Sequence, residues 1–587
     1  RVSLCGMKRR EQQDSSKLTP HAGSRAQAAG QSLASYTIGA LPILNRVIER
    51  ARIDDFLQDY LPRDPRYKIS PVHGILLLIR NYICSREPIY GVGEWASRMA
   101  SDLLALTASD IPHLNDDRVG RSLDRLFESD FASIVLAVVV HVIKEFRVSL
   151  EVLHNDSTTI TFCGRYEGAG EQSVQRGRVV HAITWGHSKD HRPDLKQLLY
   201  NLTVSADGAV PVHFFTGNGN LTDDQTHRET WDLLRKLNGT PDFLYVADSK
   251  LATKENMSYI AGEQGRFLSV LPETRAECRD FRKLVTQQAV SWQKIWEKTD
   301  ENGHITDVIS IAGHPATTIE GYRLIWFHST RKAELDTISR NDRLQRALRA
   351  LAILRQKLQS PRTRYRQEAR VRDAVEKRLA PLGATEWIPV EIKQYEDERY
   401  RQDHRGRPGK RTRYRRDVRT RFDIEYKIDP LKVAEDALQD GNFPLVTNDK
   451  QLPELEILRA YKRQPFLEKR FEQLKTDFEV APVYLKTRRR IEALMCVYFF
   501  ALLVQALVER ELRRAMDKDG IEDLPLYPEG RPCPEPTTRR IVDVFENIQR
   551  HELTKSDGSS ATFVTELSPL QTRVLKLLGI SPSMYGK

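Results

Sequence analysis

Long apolar runs, closely spaced cysteines and a nucleotide-binding signature are all missing from this 587-residue chain. The longest apolar stretch, LMCVYFFALLVQAL at 494–507, falls short of the ~20 residues that cross a bilayer. Arg488, Arg489 and Arg490 precede it and Arg510, Arg513 and Arg514 follow, so a buried core helix is expected and no membrane partner. Cys5, Cys84, Cys163, Cys278, Cys496 and Cys533 are scattered, with no CxxC pair. That spacing excludes a disulfide framework or a structural zinc site and fits a reducing cytoplasm. GxxxxGK[ST] is absent, so ATP-driven chemistry is not indicated. The opening RVSLCGMKRR has no apolar signal region; Met7 is a candidate start, and residues 1–35 read as a disordered tail.

What is abundant is charge. Hydrophobic residues make up 40% of the chain and charged residues 29%, a globular balance spread over too many residues for one core, so two to four domains are expected. The formal net charge of +11 is concentrated: residues 399–421, RYRQDHRGRPGKRTRYRRDVRTR, hold eleven Lys and Arg against two Asp. Such a run attracts a polyanion, and Arg411, Arg413, Arg415 and Arg416 are candidate nucleic-acid contacts. A solvated basic loop would have the same composition.

Residues 36–150 read as a helical N-terminal domain suited to binding DNA. In HLNDDRVGRSLDRLFESD, Asn115 or Asp116 is placed as N-cap, with Val119, Leu123, Leu126 and Phe127 inward. Arg118, Arg121 and Arg125 on its other face suit either a phosphate backbone or plain solvent. The texture changes near Val148. Strands alternate with helices over 151–276, with Asp207–Gly208 as a hairpin turn, which implies an α/β domain with a mixed sheet. Residues 277–443 read as an insertion of a helical hairpin, broken at SPRTR, and two basic strands. Residues 444–516 resume the α/β domain, and 517–587 read as a proline-rich linker with a helical tail.

Three acids stand out as candidates for catalysis. Asp156 sits in LEVLHNDSTTITF among apolar and β-branched neighbours, where a carboxylate needs a cation or hydrogen bonds. Asp248 ends the strand FLYVAD, where ligand sites in open α/β sheets commonly lie. In LEILRAYKRQPFLEKRFEQLKTDFEV, Tyr461, Gln464, Glu468 and Lys475 recur at steps of three, four and seven. At ~100° per residue they share a stripe about 60° wide on one helix, with Pro465 as the point where that helix would kink or restart.

HNDSTT, YVADSK and YKRQPFLEKRFEQLK resemble the three acidic motifs of DDE transposases from bacterial insertion sequences. The last resembles the Tyr-x2-Arg-x3-Glu-x6-Lys signature of the large YREK group: Tyr461, Glu468 and Lys475 match, Gln464 replaces the Arg, and basic Arg463 is adjacent. YGVGEWASR, LNDDRVGRSLDRLF, GHSKDHRPDLKQLL, DGAVPVHF and VADSKL extend the resemblance over roughly residues 36–515. It implies an α/β ribonuclease-H-like catalytic domain with an insertion between the second Asp and the Glu. It also implies Asp156, Asp248 and Glu468 as catalytic and metal-ligating residues for Mg²⁺, with Mn²⁺ able to substitute. Tyr461, Arg463, Gln464 and Lys475 would then contact DNA. The implied partners are double-stranded DNA, as terminal inverted repeats and as target, and a second copy in a synaptic complex; the implied location is the bacterial nucleoid.

Two rival readings share these residues: a metal-dependent nuclease of the same superfamily that joins nothing, and a transposase-derived DNA-binding protein that no longer cuts. In GHSKDHRPDLKQLL, His187, Asp190, His191 and Asp194 could suggest a metal cluster; a polar loop with Arg192 and Lys196 facing DNA is the preferred reading, because no second His/Cys cluster completes a zinc set. His213 and His227 are expected to be structural.

Overall fold

The computed structural model describes residues 26–586 apart from 29–30, 62–63, 66, 167, 190–191, 223–224, 288–289, 301, 314–315 and 478–484. The chain forms two compact units, one from Arg1–Phe267 with Leu458–Lys587, the other from Leu268–Ile457.

The first unit is mixed α/β. Its N-terminal part is helical, with Leu41–Arg50, Ile53–Tyr60, Pro71–Cys84, Asp116–Glu128 and Phe131–Phe146 as the main helices. Asn115 caps the Asp116–Glu128 helix, accepting from the Arg118 amide, as its sequence signal predicts. The helix Arg488–Lys518 is long and apolar enough to cross a membrane by length and composition, yet its most apolar stretch is wholly buried in this unit. It packs against Leu41–Arg50, Pro71–Cys84, Asp116–Glu128 and the strand Pro211–Gly217. Each fully buried Leu, Val or Phe along it contributes roughly 1.5–3 kcal/mol of transfer free energy, so the apolar run at 494–507 organises the core of this unit.

Four strands of the first unit lie side by side in the order Pro211–Gly217, Lys196–Ser205, Val152–Phe162, Leu244–Ala247. Val152–Phe162 is antiparallel to Lys196–Ser205 and parallel to Leu244–Ala247, so the sheet is mixed, as expected. The turn at Asp207–Gly208 joins the antiparallel strands Lys196–Ser205 and Pro211–Gly217, with Gly208 at φ +78° and the Arg510 side chain directly beneath it; a β-carbon there would meet that side chain at 2.7 Å. The turn therefore needs glycine for both backbone and space.

The two ends of the chain depart from expectation. Ala26–Ala28, Gln31–Thr37, Gln549–Thr554 and Ser560–Val564 form a four-stranded antiparallel sheet. Part of the stretch expected as a disordered tail is thus a strand, and the C-terminal stretch expected to be helical also contains a hairpin. Leu33 pairs with Leu553 and Tyr36 with Arg550, a pairing that neither segment's local pattern announces.

In the second unit Trp292–Thr299, Ile305–Ala312, Arg323–Ser329 and Asn442–Thr447 form an antiparallel sheet, extended by Leu268, Ser269 and Val270. The helices Thr330–Gln359 and Glu368–Leu379 form the expected hairpin, and among the described residues the strands Val390–Gln402 and Tyr414–Tyr426 pair only with each other.

Candidate catalytic site

Parallel pairing of Val152–Phe162 with Leu244–Ala247 ends in register at Asn155 opposite Ala247, and the next residue on each chain is an acid, Asp156 and Asp248. Both are half-buried, and each satisfies part of its carboxylate locally: Asp156 Oδ1 accepts from the Ser157 amide at 2.7 Å and Asp248 Oδ1 from the Lys250 amide at 3.0 Å. Behind them Tyr245 is fully buried; burial, then the charges of Asp248 and Asp156, push its phenol well above the usual range. Its hydroxyl also meets His227 Nδ1 at 3.1 Å, which gives that histidine the structural role expected of it.

Glu468 is carried by the helix Gln464–Glu472, which is anchored at both ends. At its start, on the strand bearing Asp156, the Gln464 amide accepts from His154 Nδ1 at 3.0 Å and donates to the Asn155 carbonyl at 3.4 Å. His154 is buried, and desolvation pulls its imidazole down to about 4, so it is neutral and donates. Toward its end Arg470, buried, donates to the carbonyls of Gly208 at 2.9 Å and Ala209 at 3.0 Å and pairs with buried Glu509 at 2.7 Å. Leu467, Phe471 and Leu474 are buried, and Glu468 is left exposed. Tyr461 is raised above the ordinary phenol range by burial and then by the charges of Glu468 and Asp248, so it lies within electrostatic reach of both acids.

The single helical stripe through Tyr461, Gln464, Glu468 and Lys475 is not what forms. One helix, Glu454–Tyr461, ends at the tyrosine; a turn at Lys462 and Arg463 follows; a new helix starts at Gln464 with Pro465 in its first turn. Proline has no amide hydrogen to donate to the preceding turn and is accommodated where those donors are unpaired anyway. Lys475 then lies in a π-helical turn, Gln473–Asp477. Regular 100° steps therefore do not relate these four residues, and the Gln464 side chain is engaged within the protein.

A cation that the sequence reading passed over sits at the first acid. Lys189 Nζ lies 3.3 Å from Asp156 Oδ1, 2.6 Å from the Ser157 carbonyl and 3.0 Å from Ser157 Oγ, while its own amide donates to Thr159 Oγ1. It comes from the loop GHSKDHRPDL. In that loop Arg192 pairs with Asp194 at 2.9 Å, and just beyond it Lys196 donates to the Arg165 carbonyl and lies over the Trp185 ring. Asp190 and His191 lie outside the described residues, so the four-residue cluster weighed for that loop is not described as a whole.

Carboxylate oxygens suit a hard divalent cation. Among the described residues, however, no three His, Cys, Asp or Glu side chains are gathered closely enough to hold a metal ion. The chemistry of the donors fits the ion, and the arrangement stops short of one coordination sphere.

The other candidate DNA contacts are mixed. Arg411, Arg413, Arg415 and Arg416 are exposed on or beside the strand Tyr414–Tyr426, and Arg416 is ion-paired with Glu398. On the Asp116–Glu128 helix, Arg121 pairs with Asp117 and Arg125 with Glu128, which favours the amphipathic surface reading of that helix.

Residues 33–140 match a family described as a domain of unknown function, DUF4277. Among solved structures, a chain of a piggyBac transposase synaptic complex with hairpin DNA is similar over 86% of this chain and 76% of its own, at 8% identity and a TM-score of 0.34. No curated protein matches.

Proposed function

We propose that this chain is a DNA transposase of a bacterial insertion sequence, in which Asp156, Asp248 and Glu468 form the catalytic trio. The observation that carries the reading is the link among three separate segments. Two acids occupy the next positions beyond an in-register parallel strand pair, and the helix bearing the third is fixed to one of those strands through Gln464.

Divalent cations bound by such acids would supply activation of an attacking hydroxyl and charge stabilisation of the leaving oxygen. The chain's own contribution is placement. Asp156 and Asp248 are positioned by the strand register, Glu468 by the Arg470 and Gln464 anchors, and Tyr461 stands near two of the acids. Lys475 and Arg463 are proposed to hold backbone phosphates of terminal inverted repeats. Mg²⁺, with Mn²⁺ as substitute, is the proposed ion. A dimeric synaptic complex and a place on the cytoplasmic nucleoid belong to the same proposal.

A second reading, a DNA-binding descendant that no longer cuts, is favoured by one observation: an ammonium occupies an edge of Asp156. The test uses DNA flanking the gene, with Mg²⁺ or Mn²⁺. Cleavage at the element's ends, followed by joining of precleaved 3′ ends to a second duplex, supports the transposase. Cleavage without joining leaves a nuclease, and binding without cleavage leaves the DNA-binding descendant.

A further inference from the structure

The two-stranded ribbon of the second unit segregates its charges along its length. Directly paired positions share a face, so Val390 with Tyr426, Ile392 with Ile424 and Gln394 with Phe422 lie on one side at the base. There Phe422 and Ile424 are buried in a cluster with Leu351, Leu354, Val371 and Trp387 of the helical hairpin and its connection, which anchors that end.

Moving outward, opposite charges face each other across the ladder: Lys393 and Asp423, Asp397 and Arg419, Arg399 and Asp417. Ion pairs absorb the cations of this middle section, including Lys393–Glu425 at 2.5 Å, Arg421–Asp397 at 3.0 Å, Arg419–Asp417 at 2.9 Å and Arg416–Glu398. At the outer end the pattern reverses. Arg401 directly faces Arg415, and the loop between the strands adds Arg405, Arg407, Lys410, Arg411 and Arg413 against Asp403. All seven cations are exposed, and among the described residues none of them makes an ion pair. Like charges opposed across a strand pair are destabilising, so this end is electrostatically unsatisfied by the protein itself.

We propose that the outer end of this ribbon is a clamp for duplex DNA, inserted into the major groove with its seven unpaired cations on the flanking phosphates. It rests on the DNA-binding reading above and adds which cations act and in which groove. A polyanion carrying one charge per ~1.7 Å of axis matches a cluster of this density. The major groove of B-form DNA admits a two-stranded β-ribbon, whereas that of A-form RNA is too narrow for side chains to read. The hollow between the strand ends, about 650 Å³ and lined by His404, Arg407, Lys410, Arg411 and Arg413 among others, is itself basic.

The test compares two fourfold variants of the full chain that remove equal charge, without divalent metal. The tip variant is R401A/R411A/R413A/R415A; the ion-paired control is R355A/K393A/R399A/R419A, in which Arg355 pairs with Asp423 of the ribbon at 3.1 Å. Binding to a 40-base-pair duplex is followed against salt, after circular dichroism confirms that both are folded. The tip variant is expected to lose at least a hundredfold in affinity at low salt. Its slope of log K on log salt should become shallower by about 3 to 4, at ~0.9 for each phosphate no longer neutralised, while the control changes by less than about 1. Equal losses in both variants, or none at the tip, overturn the proposal. So does wild-type binding to duplex RNA as tight as to DNA, or displacement by the minor-groove ligand netropsin rather than by the major-groove ligand methyl green. The catalytic reading is judged separately: the tip dependence without metal-dependent cleavage leaves the clamp standing alone, and cleavage with tip-independent binding removes the clamp alone.

Discussion

An ammonium 3.3 Å from Asp156 Oδ1 competes with any divalent cation for the same edge of that carboxylate. The Lys189 and Asp156 side chains are 31% and 20% exposed, so the pair is partly screened and worth on the order of 0.2–1 kcal/mol. Lys189→Met is expected to tighten Mn²⁺ binding by up to roughly fivefold, measured from the electron paramagnetic resonance of free Mn²⁺. Unchanged binding would show that the lysine does not compete with the metal, and weaker binding that it supports the metal site. His154 provides a pH readout of how the Glu468 helix is seated. Its imidazole stays neutral down to about 4 because it is buried, whereas an unfolded chain protonates it near 6.5. The unfolded state thus binds more protons between those values, and stability falls as pH is lowered from 6.5 to 4, by at most roughly 3 kcal/mol from this group. Urea unfolding across that range checks it: His154→Gln should flatten the decline, and an identical profile would contradict the assignment.

Elements are where sequence reading succeeded and where it stopped. Asp248 at the end of an apolar strand and Asn115 as a cap were legible because the signal is local. Pro465 marked the break before Glu468, but the shared stripe did not follow, since angular arithmetic holds only within one regular helix. Lys189 was missed because a lysine in a polar loop looks the same with or without a partner 33 residues away. The pairing of Gln31–Thr37 with Gln549–Thr554 was equally hidden, and for the same reason: its cause is long-range. What seats the Gln464–Glu472 helix is the buried pair Arg470–Glu509 at 2.7 Å. Arg470→Met leaves Glu509 with its charge buried and should cost about 3–5 kcal/mol. Adding Glu509→Gln is expected to restore part of that loss. Chemical denaturation of the two variants measures both, and a cost below about 1 kcal/mol would mean that Arg470 does not anchor the helix.

At the scale of the whole molecule, the two units divide the proposed work. The first holds all three acids together with the buried Arg488–Lys518 helix, and the second holds the ribbon with its unpaired cations. Length and net charge already implied several domains and a polyanionic partner; the division of paired from unpaired cations required the strand register. The measurement that bears most directly on the central claim is metal-dependent cleavage of the DNA flanking the gene by wild type, Asp156→Asn and Glu468→Gln at equal DNA occupancy. Cleavage by the wild type and a loss of at least a thousandfold in each variant are expected, with DNA binding retained, because either change removes a proposed carboxylate ligand to the metal. Cleavage by either variant at the wild-type rate would contradict that claim.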